Sequence, residues 1–247
     1  MALIEKSSNP AFSSKIFDKQ GFVQSGERMS VQGTVNKSLI LFACTLLPAY
    51  YVFDMFLAGH STMGLLLVGA IGGLIAAMVT IFKPTVAPIS APIYAALEGL
   101  FLGGISAIAE MNFPGIAFQA VILTFGTMFV MLVLYRTGII KVTEKLKSGI
   151  IAATGAIFVV YFINFIMSMF GSGMPMMHEG GMMGIGFSLL VIGIAAMNLL
   201  LDFDFIEKNA LHGSPKYMEW YSAFGLMVTL VWLYMEILRL LMKLNRD

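Results

Sequence analysis

Hydrophobic residues along the chain fall into seven long runs, which short polar or turn-forming stretches separate. Each run has about 20 mostly apolar residues, the length that an α-helix needs to cross the hydrocarbon core of a bilayer. The pattern therefore predicts an all-α fold, an integral membrane seven-helix bundle with antiparallel neighbours. The predicted spans, numbered one to seven, are residues 38–58, 63–82, 91–111, 116–135, 148–170, 182–203 and 221–242.

The first 36 residues are polar and contain no comparable apolar run. The sequence thus divides into a polar amino-terminal segment, residues 1–36, and a membrane domain, residues 37–247.

Composition supports a membrane protein, because 58% of the residues are hydrophobic and only 12% are charged, against about 25% charged in soluble domains. A net charge of +1 provides no field that would hold nucleic acid. The sequence contains no glycine-rich phosphate loop, zinc-ligand spacing or nucleophile elbow. We therefore expect a protein that is not an enzyme, has no resident cofactor and binds no nucleic acid.

The positions of the basic residues predict an orientation. Of the 15 lysines and arginines, all but three lie before span one or in the loops that follow spans two, four and six. Cytoplasmic loops carry the excess of such residues, so we expect the amino terminus to be cytoplasmic. The exceptions are Arg239, Lys243 and Arg246, which would face outward if span seven crosses fully. That span either crosses regardless of them or is re-entrant.

Several carboxylates lie inside the predicted spans, where an ionisable group costs on the order of 3 kcal/mol by insertion scales. No lysine, arginine or histidine lies deep in a span to neutralise them, although Arg239 is close enough in sequence to pair with Glu236. Acids without a partner at low dielectric hold either a proton or a cation. The acids in question are Asp54, Glu98, Glu110, Asp202, Asp204 and Glu236.

The predicted topology places these acids at two depths. Glu98, Asp202 and Asp204 fall towards the cytoplasmic side, and Asp54, Glu110 and Glu236 fall towards the outer side. Two layers of acids separated by apolar sequence are the arrangement expected of a gated cation path. Asp54, Glu110 and Asp204 lie near span ends and are equally well explained as interfacial residues, whereas apolar sequence around Glu98 and Asp202 favours a functional role.

Five segments together resemble the Bax inhibitor-1 family, in its bacterial branch with an extended amino terminus. The resemblance covers nearly the whole chain and rests on residues 9–12 (Asn-Pro-Ala-Phe), 29–37, 94–106, 200–207 and 219–241. It implies a seven-helix fold with helix seven at its centre, a bacterial inner membrane location, and a pH-sensitive leak of calcium down its gradient. It also implies an aspartate pair, one residue in helix six and one in helix seven, that shares a proton and senses pH.

The second member of that implied pair is ambiguous in this sequence. Asp202 or Asp204 matches the helix-six position. In helix seven, one alignment selects Thr229 and another selects Glu236, and the family's arginine in helix two is missing. Glu98 is then the favoured partner of the helix-six acids.

The sequence therefore favours a passive, proton-modulated cation leak in which calcium, as cargo, contacts Glu98, Asp202 and Asp204. Glu236 and Asp54 would lie towards the outer mouth. The main alternative is a non-conducting interaction protein that regulates a membrane protease or a stress response by binding a membrane protein partner, with residues 1–36 as its contact. A proton-coupled transporter ranks last, because seven spans show no inverted repeat.

Overall fold

The computed structural model describes residues 28–171 and 181–246. Most of these residues belong to seven helices, each long and apolar enough to cross a membrane. They are α1 (Val31–Leu57), α2 (Met63–Phe82), α3 (Ala87–Asn112), α4 (Ile116–Arg136), α5 (Glu144–Met169), α6 (Met182–Leu211) and α7 (Met218–Leu244), with a 3₁₀ turn at Pro84–Val86 before α3. The predicted seven-helix membrane bundle is confirmed.

Two helices extend furthest beyond the predicted spans, α1 by seven residues at its start and α6 by eight at its end. α1 begins at Val31, where the Ser30 hydroxyl accepts a hydrogen bond from Gly33 N (2.9 Å) and caps the helix. Six residues of the predicted amino-terminal segment thus belong to α1, and residues 1–27 lie outside the described part of the chain. α6 continues to Leu211. The sequence placed Asp202 and Asp204 at the end of this helix, but both lie within it.

The centre of the bundle is α7, as predicted. Two-thirds (67%) of the most apolar 18-residue stretch of this helix is buried, the largest share among the seven described helices. It packs against α1, α3, α4 and α6. Its 27 residues span about 40 Å at 1.5 Å per residue, which exceeds the roughly 30 Å of a hydrocarbon core. The helix is therefore continuous and long enough to cross fully.

The closest helix contact joins α1 to α3. A Cβ atom at Gly99 would lie 2.3 Å from the Thr45 carbonyl oxygen, and one at Gly103 would lie 2.3 Å from the Ala49 carbonyl oxygen. The Thr45 hydroxyl also donates to the Ala95 carbonyl across the interface (3.0 Å). Small residues permit this approach in lipid, where helices are held together by packing and hydrogen bonds and not by exclusion from water.

Candidate functional site

Glu98 lies deep in α3 on the side that faces α2. It is eleven residues from Ala87, the start of α3, which is about 16 Å along the helix axis. Its carboxylate is partly buried, and a Cβ atom at Gly73 of α2 would lie 3.2 Å from Oε2. Within residues 28–171 and 181–246, Glu98 makes no hydrogen bond or ion pair.

Asp204 is ion-paired, which corrects the expectation that the acids of this level have no basic partner. Its Oδ2 lies 3.0 Å from Nζ of Lys147, at the start of α5, and 3.0 Å from Nζ of Lys208, one turn later on α6. The hydroxyl of Tyr135 on α4 donates to Glu207 beside this pair. The cluster ties α4, α5 and α6 together, so Asp204 has a structural role that needs no bound cation.

Asp202 is fully buried on α6 (0% exposed). Two residues along a helix correspond to about 200° of rotation, so Asp202 and Asp204 project from nearly opposite faces of α6. Asp204 faces α5 through Lys147. The two aspartates therefore do not form one cluster.

The lengths of α6 and α7 indicate which α7 residue lies at the depth of Asp202. Asp202 is nine residues before the end of α6, and Thr229 is eleven residues after the start of α7, so both lie about 13–17 Å from the connection between the helices. Glu236 lies about 27 Å from it on the same count. Thr229 is buried, and its hydroxyl donates to the Gly225 carbonyl of its own helix (3.4 Å).

Glu98 and Asp204 face different helices. α3 and α6 both pack against α1, α4 and α7, but Glu98 faces Gly73 of α2, whereas Asp204 faces Lys147 of α5. The residues predicted as one calcium-contacting group thus divide between separate helix faces. In the described part of the chain, no group of three or more His, Cys, Asp or Glu residues lies close enough to hold a metal ion.

Glu236 belongs to a buried network at the far end of α7. Nη1 of Arg239 lies 2.9 Å from Oε1 and 3.0 Å from Oε2 of Glu236, and the Tyr161 hydroxyl of α5 donates to Oε1 (2.7 Å). Arg239 also donates to the Tyr161 hydroxyl (2.9 Å). The charge of Glu236 is therefore balanced by its neighbour on the same helix, the pairing that the sequence allowed.

The other two acids predicted for the outer level lie apart from this network. The carboxylate of Glu110 accepts hydrogen bonds from the backbone N–H groups of Gly115 (2.5 Å) and Ala117 (3.1 Å), and so caps the first turn of α4. Asp54 is exposed on α1 and makes no ion pair with the described residues. The interfacial interpretation fits Glu110 and Asp54.

The sequence analysis missed Glu219, a fully buried acid in the first turn of α7 (0% exposed). Its Oε1 accepts hydrogen bonds from both the backbone N–H and the hydroxyl of Ser30 (3.0 Å each). Lys37 and Lys216 each place Nζ 3.8 Å from the carboxylate. The carboxylate occupies the space that Gly33 leaves, because a Cβ there would lie 1.9 Å from Oε1.

This contact joins the start of α1 to the start of α7. Beside it, Met29 N donates to the Ser214 carbonyl (2.7 Å), and Arg28 forms a β-bridge with Pro215. Gly213 ends α6 at φ +72°, a left-handed conformation that suits glycine. One signal in the sequence pointed to this contact: residues 29–37 and 219–226 both belong to the segments that resemble the family. Nothing in the sequence, however, indicated that the two segments lie together in the fold.

Comparison with protein families shows what the chain is similar to. A family model described as Bax inhibitor 1 like matches residues 9–246, which is nearly the whole chain and includes all seven helices. Comparisons with curated proteins and with solved structures gave no match.

Proposed function

The chain belongs to the Bax inhibitor 1 like family, and on that premise we propose that this integral membrane protein is a pH-sensitive passive leak for cations, with calcium as its main cargo. The choice of calcium comes from the family resemblance, because carboxylate oxygens accept many hard cations. The amino terminus is proposed to face the cytoplasm of a bacterial inner membrane.

The observation that supports the proposal most is the environment of Glu98. A carboxylate placed well inside a span, with no basic residue against it, is stable only when it holds a proton or a cation. Asp204, an acid near this level, is accounted for differently, since two lysines hold it. Glu98 is therefore the residue on which a cation entering the bundle would depend.

A pH response then has a simple origin at Glu98. Its ionised form attracts a cation, and its protonated form does not. On α7, Thr229 lies at the depth of Asp202 and offers a hydroxyl, which bonds Gly225, where the implied pair would need an aspartate. We accordingly assign the principal pH-sensing role to Glu98.

The proposal is tested by reconstituting the protein in liposomes that contain a calcium-sensitive dye, and by measuring influx at a series of pH values. We expect wild-type influx to exceed that of empty liposomes and to fall as pH is lowered. Glu98→Gln should match the low-pH rate of the wild type at every pH, because the amide resembles the protonated acid. Glu144→Gln provides the matched control, since the Glu144 side chain is 72% exposed.

The leak proposal fails if influx through the wild type equals that of empty liposomes at every pH. It also fails in its assignment of Glu98 if the Glu98→Gln and Glu144→Gln variants both retain the wild-type pH profile.

A non-conducting interaction protein is the second candidate, and the structural roles of three predicted path acids favour it. Asp204, Glu236 and Glu110 are each engaged in an ion pair or a helix cap, so they need no ion path to explain them. In a strain whose stress phenotype depends on this protein, complementation by Glu98→Gln but not by a chain lacking residues 1–27 would favour this candidate. The opposite result would favour the leak.

A further inference from the structure

An apolar cavity of about 320 Å³ lies between α1 and α4, with α3 and α7 as its floor. Leu102, Met227 and Leu230 form the buried floor. The rim is exposed on the lipid-facing side of the bundle, where Tyr50 and Phe118 are 72% and 70% exposed. The cavity therefore opens sideways, between α1 and α4, towards the bilayer.

The cavity has the depth of one leaflet. Its lining residues on α1 run from Phe42 to Phe53, a distance of about 16 Å along the helix, or about half of the roughly 30 Å hydrocarbon core. On α4 they run from Ala117 to Phe125. These residues lie mostly in the second half of α1 and in the first half of the antiparallel α4, so the cavity opens mainly into the leaflet away from the start of α1. Its floor residues Met227 and Leu230 lie just before the middle of α7, near the centre of the membrane.

The buried hydroxyl groups of the lining are all engaged within the protein. Thr45 donates to the Leu41 and Ala95 carbonyls, and Thr124 donates to the Ala120 carbonyl (2.7 Å). Ser106 and Tyr234 share a hydrogen bond of 2.6 Å. None of the described residues that line the cavity is charged. A polar ligand would lose hydrogen bonds to water or headgroups without regaining them here, whereas a hydrocarbon chain needs none.

We propose that this cavity binds one acyl chain of a membrane phospholipid from that leaflet. An empty cleft would forfeit the dispersion contacts of its walls, and the chain restores them. The phospholipid headgroup stays at the membrane surface while the chain enters past Leu46 and Tyr50. Because Met227, Leu230 and Tyr234 belong to the floor, the bound chain touches the central helix α7 directly. This site is independent of the proposed leak.

The test uses a phospholipid that carries a photoreactive diazirine on its acyl chain, mixed into vesicles that contain the whole protein. After illumination, labelled peptides are mapped by mass spectrometry. We expect labelling of the buried floor residues Leu102, Met227 and Leu230 in the wild type. Val121→Phe, which fills the cavity from α4, should reduce floor labelling at least fivefold. Ile122→Phe is the matched control, because Ile122 is 53% exposed and does not line the cavity.

A second pair of variants guards against misfolding of the first. Leu46→Trp narrows the mouth of the cavity, and Leu47→Trp adds the same side chain at the neighbouring position, which is 73% exposed and does not line the cavity. Leu46→Trp should also lower floor labelling, and Leu47→Trp should not. Elution as one symmetric peak in gel filtration selects the variants that are compared.

Three results would overturn the proposal. Labelling could be confined to exposed residues such as Phe118, with an unlabelled floor. The floor could be labelled equally in the filled or narrowed variants and in their controls. A diazirine fatty acid could label the floor where the phospholipid does not, which would identify a free fatty acid as the occupant.

Discussion

At the scale of single residues, Gly33 and Glu219 form a matched contact between two helix ends. The buried carboxylate needs the space above Gly33, since a Cβ there would lie 1.9 Å from Oε1. Gly33→Ala should therefore lower the melting temperature in detergent, by the equivalent of about 1–3 kcal/mol for an overpacked site. Gly126→Ala, where a Cβ would meet nothing within 4 Å, should leave it unchanged or raise it slightly.

A double variant separates this contact from a general intolerance of α1 to alanine. When Glu219 is itself replaced by alanine, the clash disappears, so Gly33→Ala should have little further effect in that background. Equal destabilisation by Gly33→Ala in both backgrounds would show that Glu219 is not its partner.

Lys147 is the second residue with a clear expected effect. Its buried ammonium lies 3.0 Å from the Asp204 carboxylate, and removing one member of a buried pair costs about 3–5 kcal/mol, less where another cation remains. Lys147→Met should lower the melting temperature, and adding Asp204→Asn should recover much of the loss. Lys145→Met, at an exposed position in the same turn, is the control. Equal melting temperatures for the two lysine variants would contradict a structural ion pair.

Several partners of the acids could not be predicted because they come from other helices. Lys147 was counted with a loop, yet α5 begins at Glu144 and brings it against Asp204. Glu219 was not among the acids predicted to be functional, and its partner Ser30 lies at the other end of the chain. Glu236 and Arg239 could be paired from sequence, since residues three apart share one face of a helix. Asp204 and Lys208 are four apart on one helix, but the predicted span ended at residue 203 and left both outside it.

At the scale of helices, the contact between α1 and α3 depends on two small residues one turn apart. Gly99 and Gly103 meet backbone carbonyls of α1, which cannot move aside as a side chain can. The double change Gly99→Ala and Gly103→Ala should push the helices apart. It should lower the melting temperature by the equivalent of about 1–3 kcal/mol per overpacked site. Gly155→Ala on α5, where nothing lies within 4 Å, should not. A melting temperature within error of the wild type would show that the interface adjusts without cost.

The sequence located all seven helices because hydrocarbon imposes a minimum apolar length on each. Their ends were less predictable, since a helix continues through polar residues that find partners. α6 passes beyond Asp202 and Asp204 for this reason, as Glu207 and Lys208 bond to α4 and to Asp204. The starts of α1 and α7 likewise lie earlier than predicted, next to Ser30, which caps α1 and donates to Glu219 of α7.

At the scale of the whole molecule, the structure accounts for two of the three cations that conflicted with the predicted orientation. Arg239 is paired with Glu236, and Lys243 is buried (4% exposed), where it donates to the Gly184 carbonyl and the Ser188 hydroxyl (3.0 Å each). Once these two charges have partners inside the bundle, they no longer need to face the cytoplasm. The end of α7 can therefore face outward although it is basic.

The orientation is tested by labelling single cysteines in intact bacterial cells with a membrane-impermeant maleimide. Cys44→Ser removes the one native cysteine, and His60→Cys and Lys145→Cys then mark exposed positions at opposite ends of the bundle. We expect His60→Cys to react in intact cells and Lys145→Cys to react only after lysis. Arg246→Cys decides the path of α7: an odd number of crossings places it with His60. Reaction of Arg246→Cys only after lysis would show that α7, although long enough, returns to the side on which the chain begins.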